Sequence, residues 1–142
     1  MGTFDKLKFR FWDGMNATVD LIKKWRPRRC QTEKDYEKSL YRFLNKELDG
    51  VQITKQFGKG RIRADLMIGE KVIVEIKNNL DTPAKYQRLI GQLNDYKDWD
   101  KSVVILLTGK TDSNLRKQLD RFVAEMNSKL ADLSDAVTVV QK

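Results

Sequence analysis

Two acidic residues and one lysine lie within a pair of largely apolar segments in the middle of the chain. Asp65 lies within residues 61–68, and Glu75 and Lys77 lie within residues 72–78. Strands that are buried on both faces rarely carry charge, because desolvating an unpaired ion is strongly unfavourable. Two carboxylates held close together can instead share a hard divalent cation such as Mg²⁺. The pattern therefore predicts a metal site suited to phosphodiester hydrolysis.

The loop between the two segments decides whether the carboxylates meet. Side chains alternate faces along a strand, so Glu75 and Lys77 share one face. A two-residue turn would place Asp65 opposite Val74, whereas a three-residue loop, 69–71, would place it opposite Glu75. We predict the longer loop, or a bulge with the same effect, because the loop begins with a glycine that suits its left-handed position. The same alternation places three residues of the first segment on one face: Arg63, Asp65 and Met67.

Apolar periodicity around these residues predicts the elements that position them. Helical spacing predicts helices over residues 14–25, 32–48, 83–98 and 112–129. Strands are predicted over residues 51–57, 61–68, 72–78, 102–107 and 136–140. The run 102–107 is almost wholly apolar, which is typical of a strand covered on both faces. This order of elements predicts an α/β fold with a mixed central sheet flanked by helices.

Composition favours an anionic partner and excludes several kinds of catalysis. The chain has 142 residues, enough for one domain, and a net charge of +8. This charge favours nucleic acid first and an acidic membrane surface second. The absence of histidine excludes Ser-His-Asp and Cys-His catalysis and histidine metal sites. The single cysteine, Cys30, excludes disulfides within the chain and cysteine-rich zinc sites.

The first 30 residues are the most basic part of the chain, with eight Lys or Arg against three Asp. We predict that residues 1–31 form a basic N-terminal helical extension and that residues 32–142 form the core. The extension is either a packing helix with a solvated basic flank or an arm that contacts phosphates, with Trp12 or Trp25 available for stacking. No signal-peptide pattern or membrane-spanning run occurs, so we expect a cytoplasmic protein that does not contact membranes.

The spacing of Asp65 and Glu75-Ile-Lys77, after a helix and a strand, resembles that of the PD-(D/E)XK restriction-endonuclease-like nucleases. Gln92 and Tyr96 match the Q-x₃-Y pattern of the RecB-type branch, and they fall on the helix after the Glu-x-Lys strand, as in that branch. The resemblance covers roughly residues 33–108 and departs at Ala64, where the motif name has proline. It implies an αβββαβ core with a mixed central sheet.

The resemblance also implies a metal-dependent nuclease that acts on DNA, with RNA left open. Asp65 and Glu75 would bind Mg²⁺ or Mn²⁺ together with the Ile76 carbonyl, and Lys77 would orient or deprotonate the attacking water. An early-helix acid completes the implied site; Glu37 is our choice and Glu33, one turn earlier, is the alternative. Gln92 and Tyr96 would help to hold the metal site and the DNA strand.

Six further cations near the motif are candidate phosphate contacts. They are Lys55, Lys59, Arg61, Arg63, Lys85 and Arg88. Two other functions stay open: a nuclease-like module that binds nucleic acid without turnover, alone or within a larger DNA-processing complex, and a basic adaptor that binds only protein. A homodimer is also compatible with the resemblance.

Overall fold

The computed structural model describes residues 14–59, 61–129 and 136–142. The helices are α1 (Gly14–Lys24), α2 (Glu33–Glu47), α3 (Pro83–Tyr96), which continues into a 3₁₀ turn (Lys97–Trp99), and α4 (Ser113–Ser128). The strands are β1 (Ile53–Lys59), β2 (Ile62–Ile68), β3 (Val72–Asn78), β4 (Ser102–Thr108) and β5 (Val137–Gln141). All the predicted elements are present, with ends shifted by a few residues.

The five strands form one mixed sheet in the order β1-β2-β3-β4-β5. The first three strands pair antiparallel, whereas β3, β4 and β5 pair parallel. The predicted α/β fold with a mixed sheet is therefore confirmed. One end of the sheet is formed where β2 begins and where the other four strands, β1, β3, β4 and β5, end. We call this end of the sheet the C-terminal edge.

Helices cover both faces of this sheet and create two hydrophobic clusters. On one face, α1 and α2 pack against strand residues such as Ile76, which is fully buried. On the other face, α3 and α4 pack against residues such as Ile73 and Ile105. Leu21 and Ile22 of α1 are buried in the first cluster, so this helix belongs to the packed body. The boundary at residue 31 stays a prediction.

A capping box fixes the start of α2, the helix that carries Glu33 and Glu37. The Thr32 hydroxyl accepts a hydrogen bond from the backbone N–H of Asp35, and the Asp35 carboxylate accepts one from the backbone N–H of Thr32. Backbone donation from Gln31 and Thr32 holds the Asp35 pKa below its ordinary value. Capping therefore anchors this end of α2.

The hairpin between β2 and β3 has the predicted three-residue loop. Ile68 pairs with Val72, which leaves residues 69–71 in the loop, and Gly69 has a positive φ of 60°. Pairing continues as far as Leu66 opposite Val74. Beyond this pair, the Asp65 carboxylate accepts a hydrogen bond from the backbone N–H of Ile76. Pairing of Asp65 with Glu75 stays a prediction.

Side-chain alternation in β2 breaks at Asp65. Ala64 and Met67 pack in the same hydrophobic cluster although they are three residues apart, whereas Leu66 packs on the opposite face. The expectation that Arg63 shares the face of Met67 is therefore wrong, because the strand changes phase between them. Among the described helices, none has the length and apolar character needed to cross a membrane.

Candidate active site

The acidic pair lies where β2 and β3 separate towards the C-terminal edge. The Asp65 carboxylate accepts a hydrogen bond from the backbone N–H of Ile76, with Oδ2 and N 2.8 Å apart. Glu75 is only 2% exposed, and its Oε2 atom lies 3.6 Å from the Lys77 Nζ atom. A side chain on one strand thus reaches the backbone of the next, beside a buried carboxyl group.

Burial dominates the electrostatics of this pair. Desolvation first, and the negative charge of Asp65 second, raise the Glu75 pKa from 4.5 to about 8. The Lys77 ammonium and the Tyr96 hydroxyl oppose this rise without cancelling it. Burial also raises the Asp65 pKa, against the Ile76 N–H and Lys77. Burial therefore disfavours the ionised form of both acids, and a bound cation would favour it.

Tyr96 connects the Glu75 carboxyl to the backbone of β2. Its hydroxyl oxygen lies 2.7 Å from Glu75 Oε1 and 3.0 Å from the Arg63 carbonyl oxygen. A hydroxyl has one proton, so it donates to only one of these acceptors at a time. When Glu75 is protonated it can donate to Tyr96, which then donates to Arg63. Burial raises the Tyr96 pKa, so the phenol stays neutral.

Gln92 lies one helical turn before Tyr96 on α3. Its side-chain oxygen is buried and accepts no hydrogen bond from the described residues. Buried polar atoms nearly always have a hydrogen-bond partner. This oxygen is therefore an open acceptor, one helical turn from Tyr96, the residue that contacts Glu75.

The two candidate acids of α2 contact different parts of the site. The Gln56 amide nitrogen lies 2.6 Å from Glu37 Oε1 and 3.5 Å from Asp65 Oδ1, and so connects the two acids. Glu33 accepts a hydrogen bond from the backbone N–H of Asn78, at the end of β3. Both negative charges raise the Asp65 pKa, and Glu37 contributes more. Glu37 is therefore the helix acid more closely coupled to Asp65.

Gln56 is the site residue that the sequence analysis missed. The pairs on either side of it in β1 place it across from Asp65, and its φ of 52° lies in the left-handed region. That conformation is unfavourable for a residue with a side chain, by about 1 kcal/mol or more. An exposed glutamine in a strand has no distinguishing pattern, so no sequence signal could have identified it.

The donor set suits a hard divalent cation that keeps part of its water shell. Within the described residues, no three side chains of His, Cys, Asp or Glu are grouped as metal ligands. Mg²⁺ commonly takes only one or two carboxylates, which Asp65 and Glu75 can provide. The N–H and C=O of one strand residue project to the same side. Since the Ile76 N–H points to Asp65, the Ile76 carbonyl faces the same gap.

The predicted phosphate contacts occupy varied environments. The Lys55 ammonium lies 4.7 Å from the centre of the Tyr41 ring, and Lys85 forms a 2.9 Å ion pair with Asp81. Three arginines are exposed at the surface: Arg61, Arg63 and Arg88. The Lys59 side chain lies outside the described part of the structure. Contact with nucleic acid stays a prediction for all six residues.

The two tryptophans proposed for stacking have different outcomes. Trp25 is 2% exposed, and its indole N–H donates to the Ser39 hydroxyl at 3.1 Å. The prediction that Trp25 is available to stack on a base is therefore wrong, because its ring forms part of the core. Trp12 lies outside the described residues.

Comparisons with known proteins give one structural likeness. No protein-family model matches the chain, and no curated protein matches it. The chain is similar to SfsA from Pyrococcus furiosus, solved in complex with Ca²⁺, with 20% identity and a TM-score of 0.46. The alignment covers 76% of this chain and 54% of SfsA, so the chain spans about half the length of that protein. At this identity and score, the likeness identifies neither a family nor an activity.

Proposed function

We propose that the chain is a divalent-metal-dependent nuclease of the restriction-endonuclease-like kind, which hydrolyses phosphodiester bonds in DNA. The observation that carries the proposal is the buried Glu75 carboxyl, which feels the charge of Asp65, a residue hydrogen-bonded to the adjacent Ile76 N–H, and which lies 3.6 Å from the Lys77 ammonium. A buried carboxyl beside a second acid destabilises the fold in the absence of a cation, and groups with strongly shifted pKa values cluster at functional sites.

Asp65, Glu75 and the Ile76 carbonyl would hold Mg²⁺ or Mn²⁺. Such a cation polarises the scissile phosphate and lowers the pKa of a water molecule. The Lys77 ammonium would orient the attacking water and offset the negative charge that builds up on the phosphate during attack. Tyr96 would keep the Glu75 carboxylate oriented through their 2.7 Å hydrogen bond.

Neighbouring residues would support this site in secondary roles. Gln56 would keep Glu37 beside Asp65 through the two contacts of its amide nitrogen. The buried acceptor of Gln92 would accept a hydrogen bond from an ordered water molecule beside the site. The exposed arginines of the β1–β2 hairpin would bind phosphates next to the scissile bond.

Cleavage assays test the proposal directly. Labelled single-stranded and duplex DNA are incubated with the protein in Mg²⁺, in Mn²⁺ and in EDTA; we expect cleavage only with a cation. Asp65→Asn should abolish cleavage, because it removes one charge from the cation site. Asp49→Asn, an exposed acid before β1 at the other end of the sheet, is the matched control and should cleave normally. Equal cleavage by the two variants would contradict the proposed site.

A nucleic-acid-binding module without turnover is the second candidate. It is favoured by the absence of a third grouped acidic ligand among the described residues and by a Glu75 pKa high enough to favour the neutral acid near neutral pH. This candidate predicts salt-sensitive DNA binding, no cleavage with any cation, and no change in melting temperature when Mn²⁺ is added.

A further inference from the structure

Cations also cluster on the side of the site away from the β1–β2 hairpin, at the same edge of the sheet. Lys77 on β3 is level with Leu107 on β4, and the Leu107 carbonyl accepts a hydrogen bond from the Lys142 backbone N–H at 2.8 Å. Neighbouring strands lie about 4.8 Å apart. The Lys142 backbone therefore lies roughly 10 Å from that of Lys77, two strand spacings along the C-terminal edge.

Two of these cations converge on the end of α1. The Lys142 ammonium lies 3.1 Å from the Lys23 carbonyl oxygen, and the Arg26 guanidinium lies 3.5 Å from the same oxygen. Burial, and then the positive charge of Arg26, lower the Lys142 pKa. Cations near a helix C-terminus are favourable, but two positive charges on one carbonyl oxygen repel each other.

The positive charge in this region exceeds what the helix end requires. We call the group formed by Lys23, Lys24, Arg26, Arg28, Arg29 and Lys142 the α1–β5 cationic surface. None of these six side chains forms an ion pair with a carboxylate of the described residues. Of the acids nearest in sequence, Asp20 is exposed, Glu33 accepts a hydrogen bond from the Asn78 backbone N–H, and Asp35 is engaged by the capping box.

This surface adjoins the proposed site. The Asn78 side-chain amide donates to the Gln31 carbonyl at 2.8 Å, and Asn78 directly follows Lys77. Gln31 in turn follows the basic run 26–29 after one residue. The hydrogen bond between Gln31 and Asn78 therefore holds the cationic surface next to the end of β3, close to Glu75.

We propose that the α1–β5 cationic surface binds the phosphate backbone of the nucleic acid strand that continues beyond the site. The inference rests on the proposed function and adds to it a direction for the substrate, from the β1–β2 hairpin across β3 towards β5. Arginine and lysine neutralise phosphates regardless of base sequence, so this surface contributes affinity and salt dependence. Its position level with Lys77 makes it a path for a strand that passes the acidic pair.

Binding without turnover tests the inference. Fluorescence anisotropy follows a labelled single strand and its duplex in EDTA over a series of KCl concentrations. Removing two phosphate contacts should reduce the slope of log K against log salt by about 1.4 for the single strand and by about 1.8 for the duplex. We expect this for Arg26→Gln/Lys142→Gln. A second variant, Arg28→Gln/Arg29→Gln, removes two exposed charges without touching the Lys23 carbonyl contacts and should behave in the same way.

The matched control is Lys71→Gln/Lys101→Gln, which removes the same charge at the opposite edge of the sheet. Its slope should equal that of the unmodified protein. Slopes that are unchanged in both surface variants overturn the inference. Surface variants that bind DNA normally but lose binding to phosphatidylserine vesicles also overturn it. If the surface variants have reduced slopes but the unmodified protein never cleaves DNA, the binding surface is supported and the nuclease proposal is rejected. If the unmodified protein cleaves DNA but the slopes are unchanged, the nuclease proposal is supported and the binding surface is rejected.

Discussion

Charged residues are exposed to solvent at one edge of the sheet, whereas at the opposite, C-terminal edge an acidic residue is buried. At the edge where β3 begins, Glu70, Lys71 and Asp100 are exposed, and the Lys101 ammonium donates to the Glu70 carbonyl at 2.6 Å. At the C-terminal edge, Glu75 is 2% exposed, and the negative charge of a second acid, Asp65, contributes to raising its pKa. Both edges belong to the same strands, so strand propensity does not explain the difference.

The comparison shows which charges the fold merely tolerates. An exposed charge keeps its water shell and adds little to stability or instability. A buried carboxyl loses that shell, and here its pKa rises to about 8. The C-terminal edge is therefore less stable than this backbone would permit, and the proposed cation site accounts for that loss.

Of the substitutions that test this difference between the edges, Lys77→Met should have the largest effect, which is on the cleavage rate. It removes the ammonium that would stabilise charge on the phosphate, and we expect cleavage to slow by about 10²–10⁴-fold. Single-turnover cleavage rates with Mn²⁺ measure the change. Lys71→Met at the other edge is the control and should keep the normal rate. A normal rate in Lys77→Met would remove this lysine from the proposed chemistry.

Glu75→Gln should stabilise the metal-free protein at alkaline pH. A folded-state pKa of about 8 against an ordinary 4.5 means that the folded protein binds more protons than the unfolded chain, so its stability falls as pH rises through that range. The neutral amide removes this loss, which is on the order of a few kcal/mol because one pKa unit corresponds to about 1.4 kcal/mol. Denaturant unfolding in EDTA on both sides of that pH range measures the difference.

The same variant should also lose the stabilisation by Mn²⁺ that we expect of the unmodified protein, since one proposed ligand is gone. Glu70→Gln is the matched control, because this exposed acid lies at the other edge; its pH profile and its response to Mn²⁺ should not change. A pH profile for Glu75→Gln that coincides with that of the unmodified protein would show that burial does not shift the Glu75 pKa.

Tyr96→Phe should destabilise the protein by about 1–3 kcal/mol, because the buried Glu75 carboxyl and the Arg63 carbonyl lose the hydroxyl that they share as a hydrogen-bond partner. Thermal unfolding measures this change. Tyr86→Phe on the same helix is the control, since no described hydrogen bond involves the Tyr86 hydroxyl, and it should unfold close to normally. Equal destabilisation by the two variants would indicate a general loss of helix packing.

Gln56→Gly and Gln56→Ala should differ by about 1 kcal/mol in the free energy of unfolding, with the glycine variant more stable. Both remove the amide between Glu37 and Asp65, but only glycine accepts a φ of 52° without strain. Both variants should weaken Mn²⁺ binding, about 10-fold or more, if Gln56 positions the acids. Calorimetric titration measures that loss, and normal Mn²⁺ affinity in both would reject a positioning role.

Sequence reasoning was reliable where one local rule decided the result. The three-residue loop at residues 69–71 followed from a glycine and the strand period, and its register is confirmed. Reasoning failed for Arg63, where β2 changes phase, and for Trp25, where an aromatic residue after a basic helix proved to be buried. Both failures depend on contacts with distant elements.

The sequence by itself determined the order of helices and strands and the three-residue loop at residues 69–71, because periodicity and loop length act over a few residues. Only the tertiary structure decided how deeply Glu75 is buried, which acid of α2 couples to Asp65, and that Gln56 connects them. These features depend on packing between segments far apart in the chain, and desolvation, which sets the Glu75 pKa, exists only once that packing has formed.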